Sequence, residues 1–140
     1  MNKDLQIARH TVDIQIKALK KLSASFNKSS KFSKAVNLIS KLKGKCLVIG
    51  VGKSYLIGLK VAATLSSLGS PSVAFSANDL QHGGMGAIQK GHDLLLVFSV
   101  SGESSELNSI LRYANRYNIP VIGVSCKPSS MLLKFSTIKI

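Results

Sequence analysis

The sequence predicts an α/β fold in which a parallel β-sheet carries helices on both faces. Short apolar runs rich in β-branched residues recur along residues 46–140, as expected for strands buried on both faces. Segments with apolar residues at helical spacing separate these runs, and glycine, serine or proline stands at most junctions. Such alternation favours a parallel sheet with right-handed crossovers.

A helical segment, residues 1–43, precedes the first predicted strand. Apolar spacing predicts one helix over 4–25 and a second over 34–42, with Ser33 as the cap of the second. The polar stretch 26–33 separates them. We expect these N-terminal helices to pack either on a face of the sheet or on another subunit. The domain itself is assigned to residues 44–140.

The elements of the domain follow from the same patterns. Strands are predicted over 46–51, 72–76, 93–99, 120–125 and 136–140. Helices are predicted over 54–68, about 103–117 and 128–134, and the glycine-rich connection 77–92 should hold a short one. Ligands of such sheets bind at the carboxyl ends of the strands near the switch point. The turns 50–54 and 99–106 are therefore the informative segments.

The net charge of +13 raises the question of nucleic-acid binding. Residues 1–60 contain thirteen Lys or Arg and two acids, whereas residues 61–140 contain six bases and four acids. The bases are mostly single lysines, and no aromatic residues are interleaved with them. We expect a solvated basic face that helps to attract an anionic substrate, with no specific nucleic-acid partner. The alternative is weak, non-specific binding of polyanions.

The N-terminal residues, the length of the apolar runs and the cysteine content favour a cytoplasmic protein without membrane contact. The N-terminus lacks the apolar core of a signal peptide, and no apolar run is long enough to span a bilayer. Cys46 and Cys126 flank apolar runs, so we expect buried free thiols rather than a disulfide. No cysteine–histidine cluster has metal-ligand spacing, so no metal site is predicted.

The first turn, Gly-Val-Gly-Lys-Ser at 50–54, looks like the end of a nucleotide-binding loop. Leu47 stands where a P-loop requires its first glycine, and Tyr55 stands where a dinucleotide fingerprint requires its third. Both nucleotide motifs therefore fail. Glycines and a helix start still make a good anion site, to which Ser54 adds a hydroxyl and Lys53 a charge. The alternative is a plain strand-to-helix turn capped by the serine.

The second turn is richer in hydroxyls, which surround Gly102 at Ser99, Ser101, Ser104 and Ser105. Four hydroxyls with backbone amides form a neutral cradle suited to a phosphate group. Glu103 and Glu106 are predicted in the first helical turn, on one face. They either complement the helix dipole in a capping box or supply a carboxylate base beside the phosphate.

One histidine has ligand-facing surroundings. His82 lies in a long loop and is followed directly by two glycines, which favours a role in a site. His10 and His92 lack such surroundings and are expected at the surface.

These motifs together resemble the sugar isomerase (SIS) domain, and within it the arabinose-5-phosphate isomerase branch. The resemblance is carried by "VIGVGKSYLIGLKVAATLSSLGSPS", "NDLQHGGMGAI", "FSVSGESSEL" and "NIPVIGVS", in that order, over essentially all of residues 44–140. It implies a flavodoxin-like five-stranded parallel sheet that binds phosphosugars. Members of the branch are cytoplasmic tetramers that interconvert D-ribulose 5-phosphate and D-arabinose 5-phosphate, early in the making of the lipopolysaccharide sugar Kdo.

The resemblance also implies roles for individual residues. Lys53, Glu106 and His82 match the catalytic positions of the branch. The remaining positions are assigned to substrate and phosphate binding: Gly52, Ser54, Ser99, Ser101, Gly102, Glu103, Ser104, Gly69 and Ser70. An aldose–ketose isomerisation proceeds through an enediol, which needs a base, best Glu106, and groups that stabilise an oxyanion. No redox cofactor is required.

The sequence departs from the branch at several positions. Tyr55, Gly84 and Val100 replace a usual glycine, aspartate and asparagine, and Ser76 stands where some members carry a histidine reported to bind zinc. The family domain also continues beyond the position of Ile140 with a helix that contributes a further glutamate and histidine. We expect an incomplete domain, either a fragment or the product of a truncated gene. A non-catalytic phosphosugar sensor is the alternative function.

Overall fold

A computed structural model of the chain describes residues 2–26 and 30–140. It divides into two compact units, one extending to Phe32 and the other spanning Ser33–Ile140. The first unit contains α1, Lys3–Phe26, none of whose residues is buried. This element confirms the helix predicted over 4–25. The polar break at 26–33 lies partly outside the described residues.

The second unit is built on a five-stranded sheet in which every pair of neighbouring strands is parallel. The strands are β1 (Cys46–Gly50), β2 (Ser72–Ser76), β3 (Leu94–Phe98), β4 (Val121–Val124) and β5 (Ile138–Lys139). Their order across the sheet is β2-β1-β3-β4-β5. The chain thus builds outward from β1 in one direction and then in the other, which confirms the predicted flavodoxin-like α/β fold.

Helices cover both faces of this sheet. They are α2 (Lys31–Ser40), α3 (Lys53–Ser67), α4 (Ala77–Gln81), α5 (Asn108–Arg116) and α6 (Met131–Phe135), with 3-10 turns at Gly84–Ala87 and Ser105–Leu107. Side chains alternate along each strand, so Cys46 and Val48 pack towards α2 and α3. Leu47 and Ile49 pack towards α4, α5 and α6. Burial on both faces explains why the inner strands β1, β3 and β4 are continuous apolar runs.

Several local predictions need correction. Ser33 lies inside α2, which begins two residues earlier, so it does not cap that helix. The helix predicted over 128–134 begins three residues later, at Met131, with Ser130 as its N-cap. Cys46 is buried as expected, whereas Cys126 is exposed, because it lies in the turn after β4 rather than in the strand. Both are free thiols.

Candidate functional site

The turns that follow β1 and β3 lie side by side at the switch point of the sheet. These two strands are direct neighbours, with Cys46 paired to Leu94 and Ile49 paired to Val97. From β1 the chain crosses over to β2 on one side of it within the sheet, and it then returns to form β3 on the other side of β1. The cleft between such crossovers is the usual ligand site of this architecture.

The first turn needs glycine at two positions for different reasons. Gly52, the N-cap of α3, has a φ of +53°, a backbone conformation that favours glycine. Gly50 has close neighbours instead, because a Cβ there would lie 2.5 Å from the carbonyl carbon of Ser54. The glycines therefore let strand β1 turn directly into α3, which brings the first turn of that helix to the edge of the cleft.

Ser54 presents its side chain at this edge without serving as a cap. The N-cap position belongs to Gly52 and carries no side-chain hydrogen bond. Ser54 instead lines a pocket together with Ser99. The alternative of a plain capping serine is thereby wrong. Lys53, the first residue of α3, is exposed, and we find it in no ion pair across residues 2–26 and 30–140.

The serine-rich turn after β3 is organised by its own hydroxyls. The buried Oγ of Ser99 accepts a hydrogen bond of 3.0 Å from the backbone N–H of Gly102 and lies 3.3 Å from the Oγ of Ser104. The Oγ of Ser101 accepts one of 3.2 Å from the N–H of Glu103. A hydroxyl that accepts from the backbone keeps its own hydrogen to donate. The turn can therefore offer several donors to one anion.

The pocket beside this turn lies at the carboxyl ends of β3, β4 and β5. Its volume is about 260 Å³. Ser54, Ser99 and Ser125 supply its hydroxyl groups. The remaining lining comes from Ile57, Phe98, Val100, Val124, Cys126 and Ile140. A largely apolar wall with a few convergent polar groups is typical of a small-molecule site.

The two glutamates of the second turn have different environments. Glu103 lies before the helix, not in its first turn as predicted, and its Oε1 is 3.1 Å from the Nζ of Lys127. The hydrogen bond from that ammonium lowers the pKa of Glu103 below its ordinary range. Glu106 lies in the 3-10 turn, accepts a hydrogen bond from the Oγ of Ser105, and has no ion pair within the described ranges. Glu106 is therefore the better placed of the two to act as a base.

The glycine-rich loop after β2 reaches the same turn on the face of the sheet that α4 and α5 cover. The Nε2 of Gln81 donates a hydrogen bond to the backbone carbonyl of Glu106. His82 follows directly in the chain and is exposed. A positive φ of 111° at Gly83 then turns the backbone into the 3-10 turn. The structure thus brings the loop of His82 to the turn of Glu106, although no hydrogen bond joins these two side chains in the part of the chain described.

Two of the predicted binding residues do not belong to this site. Gly69 and Ser70 follow the C-terminal end of α3 and precede the first residue of β2, so they lie at the amino end of the strands. Parallel strands place their amino ends at the opposite edge of the sheet from the cleft. The assignment of Gly69 and Ser70 to phosphate binding is therefore wrong for this site.

Sequence reasoning also missed two serines near the cleft. Ser125 lines the pocket, and Ser130 is buried against Gly102. A signal was present, since Ser125 is the last residue of the strand predicted over 120–125 and so stands at its carboxyl end. Ser130 carried no comparable signal, because its proximity to the serine-rich turn depends on how the segment after β4 folds back.

The described residues include neither a metal-binding cluster nor a membrane-spanning helix. Residues 2–26 and 30–140 contain no group of three or more His, Cys, Asp or Glu side chains arranged to hold a metal ion. Nor does any helix in those ranges have the length and apolar character needed to cross a membrane.

Fold and site define a class of protein: a parallel α/β domain with a hydroxyl-rich cleft at its switch point. The chain belongs to the SIS domain family, whose family model matches residues 38–140. Arabinose 5-phosphate isomerase KdsD of Francisella tularensis is 33% identical over 99% of this chain and 42% of its own length. The KdsD of Pseudomonas aeruginosa is 35% identical over 95% of this chain and 40% of its own length. The chain thus spans about two fifths of these curated relatives.

Solved structures show the same fold. The protein c3406 of E. coli CFT073, in complex with arabinose 5-phosphate, superposes with a TM-score of 0.88 and 27% identity, over 100% of this chain and 74% of that one. The sugar isomerase domain of the RpiR transcription factor from Sphaerobacter thermophilus has a TM-score of 0.75 at 17% identity, over 92% of this chain and 73% of that one. The second likeness concerns the fold alone.

Proposed function

We propose that the chain is the phosphosugar-binding domain of a D-arabinose-5-phosphate isomerase type of enzyme, which interconverts ribulose 5-phosphate and arabinose 5-phosphate. The observation that carries this proposal is the turn after β3, in which the hydroxyls of Ser99, Ser101 and Ser104 gather around Gly102. Relatives with this activity in their names support it. The reaction would belong to carbohydrate metabolism in the cytoplasm, towards a lipopolysaccharide precursor.

The phosphate group of the sugar would lie between the two turns of the cleft. Ser54 would donate from the first turn of α3, where the helix also presents backbone N–H groups and a partial positive charge. Ser99, Ser101 and Ser104 would donate from the turn after β3. Neutral donors suit this task because they bind a dianion without burying a permanent countercharge.

Proton transfer at the other end of the sugar is assigned to Glu106. Its carboxylate would take a proton from C1 of the ketose while the C1–H electron pair forms the C1=C2 bond of the enediol. The carbonyl oxygen at C2 gains a proton from solvent as this bond forms. The O1 hydroxyl then loses its proton to solvent as the C1=O bond forms, and Glu106 delivers the abstracted proton to C2, which yields the aldose. Lys53 and His82 would stabilise the charge that develops on the oxygens, so no cofactor is needed.

An isomerisation assay tests this proposal. The chain is incubated with ribulose 5-phosphate, and arabinose 5-phosphate is followed by NMR of its anomeric signals. Glu106→Gln should lower turnover by about 10²- to 10⁴-fold, the usual contribution of a general base. Asp13→Asn on α1 removes an exposed carboxylate outside the cleft and serves as the matched control.

The outcomes separate the two functions. Turnover that survives Glu106→Gln contradicts the assignment of the base. Binding of arabinose 5-phosphate without turnover, lost on Ser99→Ala, supports the alternative of a phosphosugar sensor. Binding of neither sugar phosphate contradicts both functions.

We propose in addition that the chain forms a homo-oligomer through α1. Its large apolar side chains are exposed, and four of them recur every seven residues at Leu5, Val12, Leu19 and Phe26. A seven-residue apolar repeat is the pattern of helices that pack along one another. A second copy of the chain offers a helix with the same repeat.

A further inference from the structure

The segment that follows β4 forms hydrogen bonds with the backbone of the serine-rich turn. The backbone carbonyl of Val100 accepts hydrogen bonds from the N–H of Cys126, at 3.1 Å, and from the Oγ of Ser125, at 3.2 Å. The carbonyl of Gly102 accepts one of 3.0 Å from the N–H of Leu132. These three bonds tie residues 100–102 to the turn after β4 and to the first turn of α6.

Gly102 and Ser130 are packed so closely that the glycine has no room for a side chain. A Cβ at Gly102 would collide with the Oγ and Cβ of Ser130 and would lie 2.8 Å from the Oγ of Ser125. Gly102 also has a φ of +65°. Ser130 cannot easily move away, because it is fully buried and its Oγ accepts a hydrogen bond from the N–H of Leu133 as the N-cap of α6.

The position of Gly102 in turn sets the positions of two candidate phosphate donors. Its N–H donates to the Oγ of Ser99, and the next N–H, of Glu103, donates to the Oγ of Ser101. A shift of the backbone at Gly102 would therefore reorient both hydroxyls. Binding sites lose affinity when donors move by more than about 0.5 Å.

We propose that Ser130 is a positioning residue for the phosphate-binding turn and acts through its contact with Gly102. This inference rests on the proposed function, because it assigns Ser130 a task in phosphate binding without contact to the ligand. The ion pair between Glu103 and Lys127 lies further out, with both side chains exposed, and such pairs contribute little. The tight packing of Ser130 against the glycine is the main restraint.

A pair of compensating substitutions tests the contact. Gly102→Ala should weaken the binding of inorganic phosphate by about tenfold or more, because the new methyl group displaces the turn from Ser130. Adding Ser130→Gly makes room for that methyl group, so the double variant should bind phosphate about threefold more tightly than Gly102→Ala. The recovery is incomplete because the strain of the positive φ remains. Glycine is a tolerated N-cap, so Ser130→Gly should leave α6 in place. Titration calorimetry measures the phosphate affinity of all four proteins.

Gly91→Ala is the matched control. Gly91 has a φ of +77°, and an added Cβ would meet no atom within 4 Å. It shares the backbone strain but lacks the contact, so its phosphate affinity should equal that of the unmodified chain. Amide hydrogen exchange at Gly102 and Glu103, without ligand, should become faster in Gly102→Ala and slower again in the double variant.

The results distinguish two kinds of failure. If the unmodified chain binds phosphate and the double variant binds no better than Gly102→Ala, the positioning role of Ser130 is wrong while the proposed function stands. If the unmodified chain binds neither phosphate nor arabinose 5-phosphate, the proposed function and the inference fail together.

Discussion

Lys45 and Asp93 are joined through both the side chain and the backbone of the lysine. The Nζ of Lys45 lies 2.9 Å from one carboxylate oxygen of Asp93, and its backbone N–H donates to the other at 2.8 Å. The N–H of Gln89 also donates to this carboxylate. Asp93 is almost fully buried. The pair therefore joins the beginnings of β1 and β3, the two strands whose far ends form the cleft.

The first prediction concerns the contribution of this pair to stability. Asp93→Asn should lower the free energy of unfolding by about 2–4 kcal/mol, because an amide cannot accept all three bonds and leaves the ammonium without its countercharge. Urea denaturation measures the change. Asp79→Asn alters an exposed carboxyl group and should change stability by less than about 0.5 kcal/mol. Equal effects of the two substitutions would contradict this role.

The second prediction concerns the pH dependence of stability. Burial acts to raise the pKa of Asp93, but the hydrogen bonds from Lys45 and Gln89 outweigh it, and the pKa is lowered in the folded chain. A carboxyl group with a lowered folded pKa stabilises the fold above its unfolded value, near 3.8, and loses this effect as the pH falls through the folded value. Unfolding free energies measured between pH 6 and pH 2 should show this decline. In Asp93→Asn the part of the decline that is due to protonation of Asp93 should be absent.

The third prediction separates the two glutamates of the serine-rich turn. Lys127→Met should raise the pKa of Glu103 towards its ordinary value of 4.5, because the hydrogen bond from the ammonium is lost. An NMR titration of the side-chain carboxyl carbons measures this change. The melting temperature should hardly move, since the pair is exposed. A Glu103 that titrates identically in both proteins would show that the ion pair does not form in solution.

The fourth prediction concerns the two thiols. Burial raises the pKa of Cys46 to about 12, so this thiol should not react with a disulfide reagent at pH 8 while the chain is folded. Cys126 is exposed and lines the pocket, so it should react, and arabinose 5-phosphate should slow the reaction. Counting the thiols labelled in folded and unfolded protein checks the first part. Cys126→Ser should abolish labelling of the folded chain.

The fifth prediction concerns self-association. A double substitution, Val12→Asp with Leu19→Asp, should lower the oligomeric mass measured by light scattering, because it places charges within the apolar repeat of α1. The control pair, Gln6→Asp with Lys17→Asp, places the same residue type on the polar side of that helix and should leave the mass unchanged. A chain that is already monomeric at micromolar concentration would exclude the proposed oligomer.

Local patterns predicted most of the fold because the inner strands β1, β3 and β4 are buried on both faces. Runs such as Leu94–Phe98 contain no polar residue, and a strand of this kind is recognisable without knowledge of its neighbours. The two informative turns followed from topology, since ligands of parallel sheets bind where neighbouring crossovers diverge. Topology also argues against Gly69 and Ser70, which precede a strand rather than follow one.

Contacts between distant parts of the chain could not be predicted in the same way. The partner of Glu103 in its ion pair is Lys127, which lies 24 residues further along the chain. The collision that restricts Gly102 depends on a serine after β4. The exposure of Cys126 depends on how the turn after β4 faces solvent, which the apolar run before it does not reveal.

The position of β1 between β2 and β3 has a consequence for the order of folding. Residues 45 and 93 are 48 apart in the chain, and their strands must meet before the two turns can become neighbours. Closing a loop of this length costs entropy that a helix such as α3 does not have to overcome. The cleft should therefore acquire its shape late, after the helices have formed, and during synthesis it can begin to form only once β3 has left the ribosome.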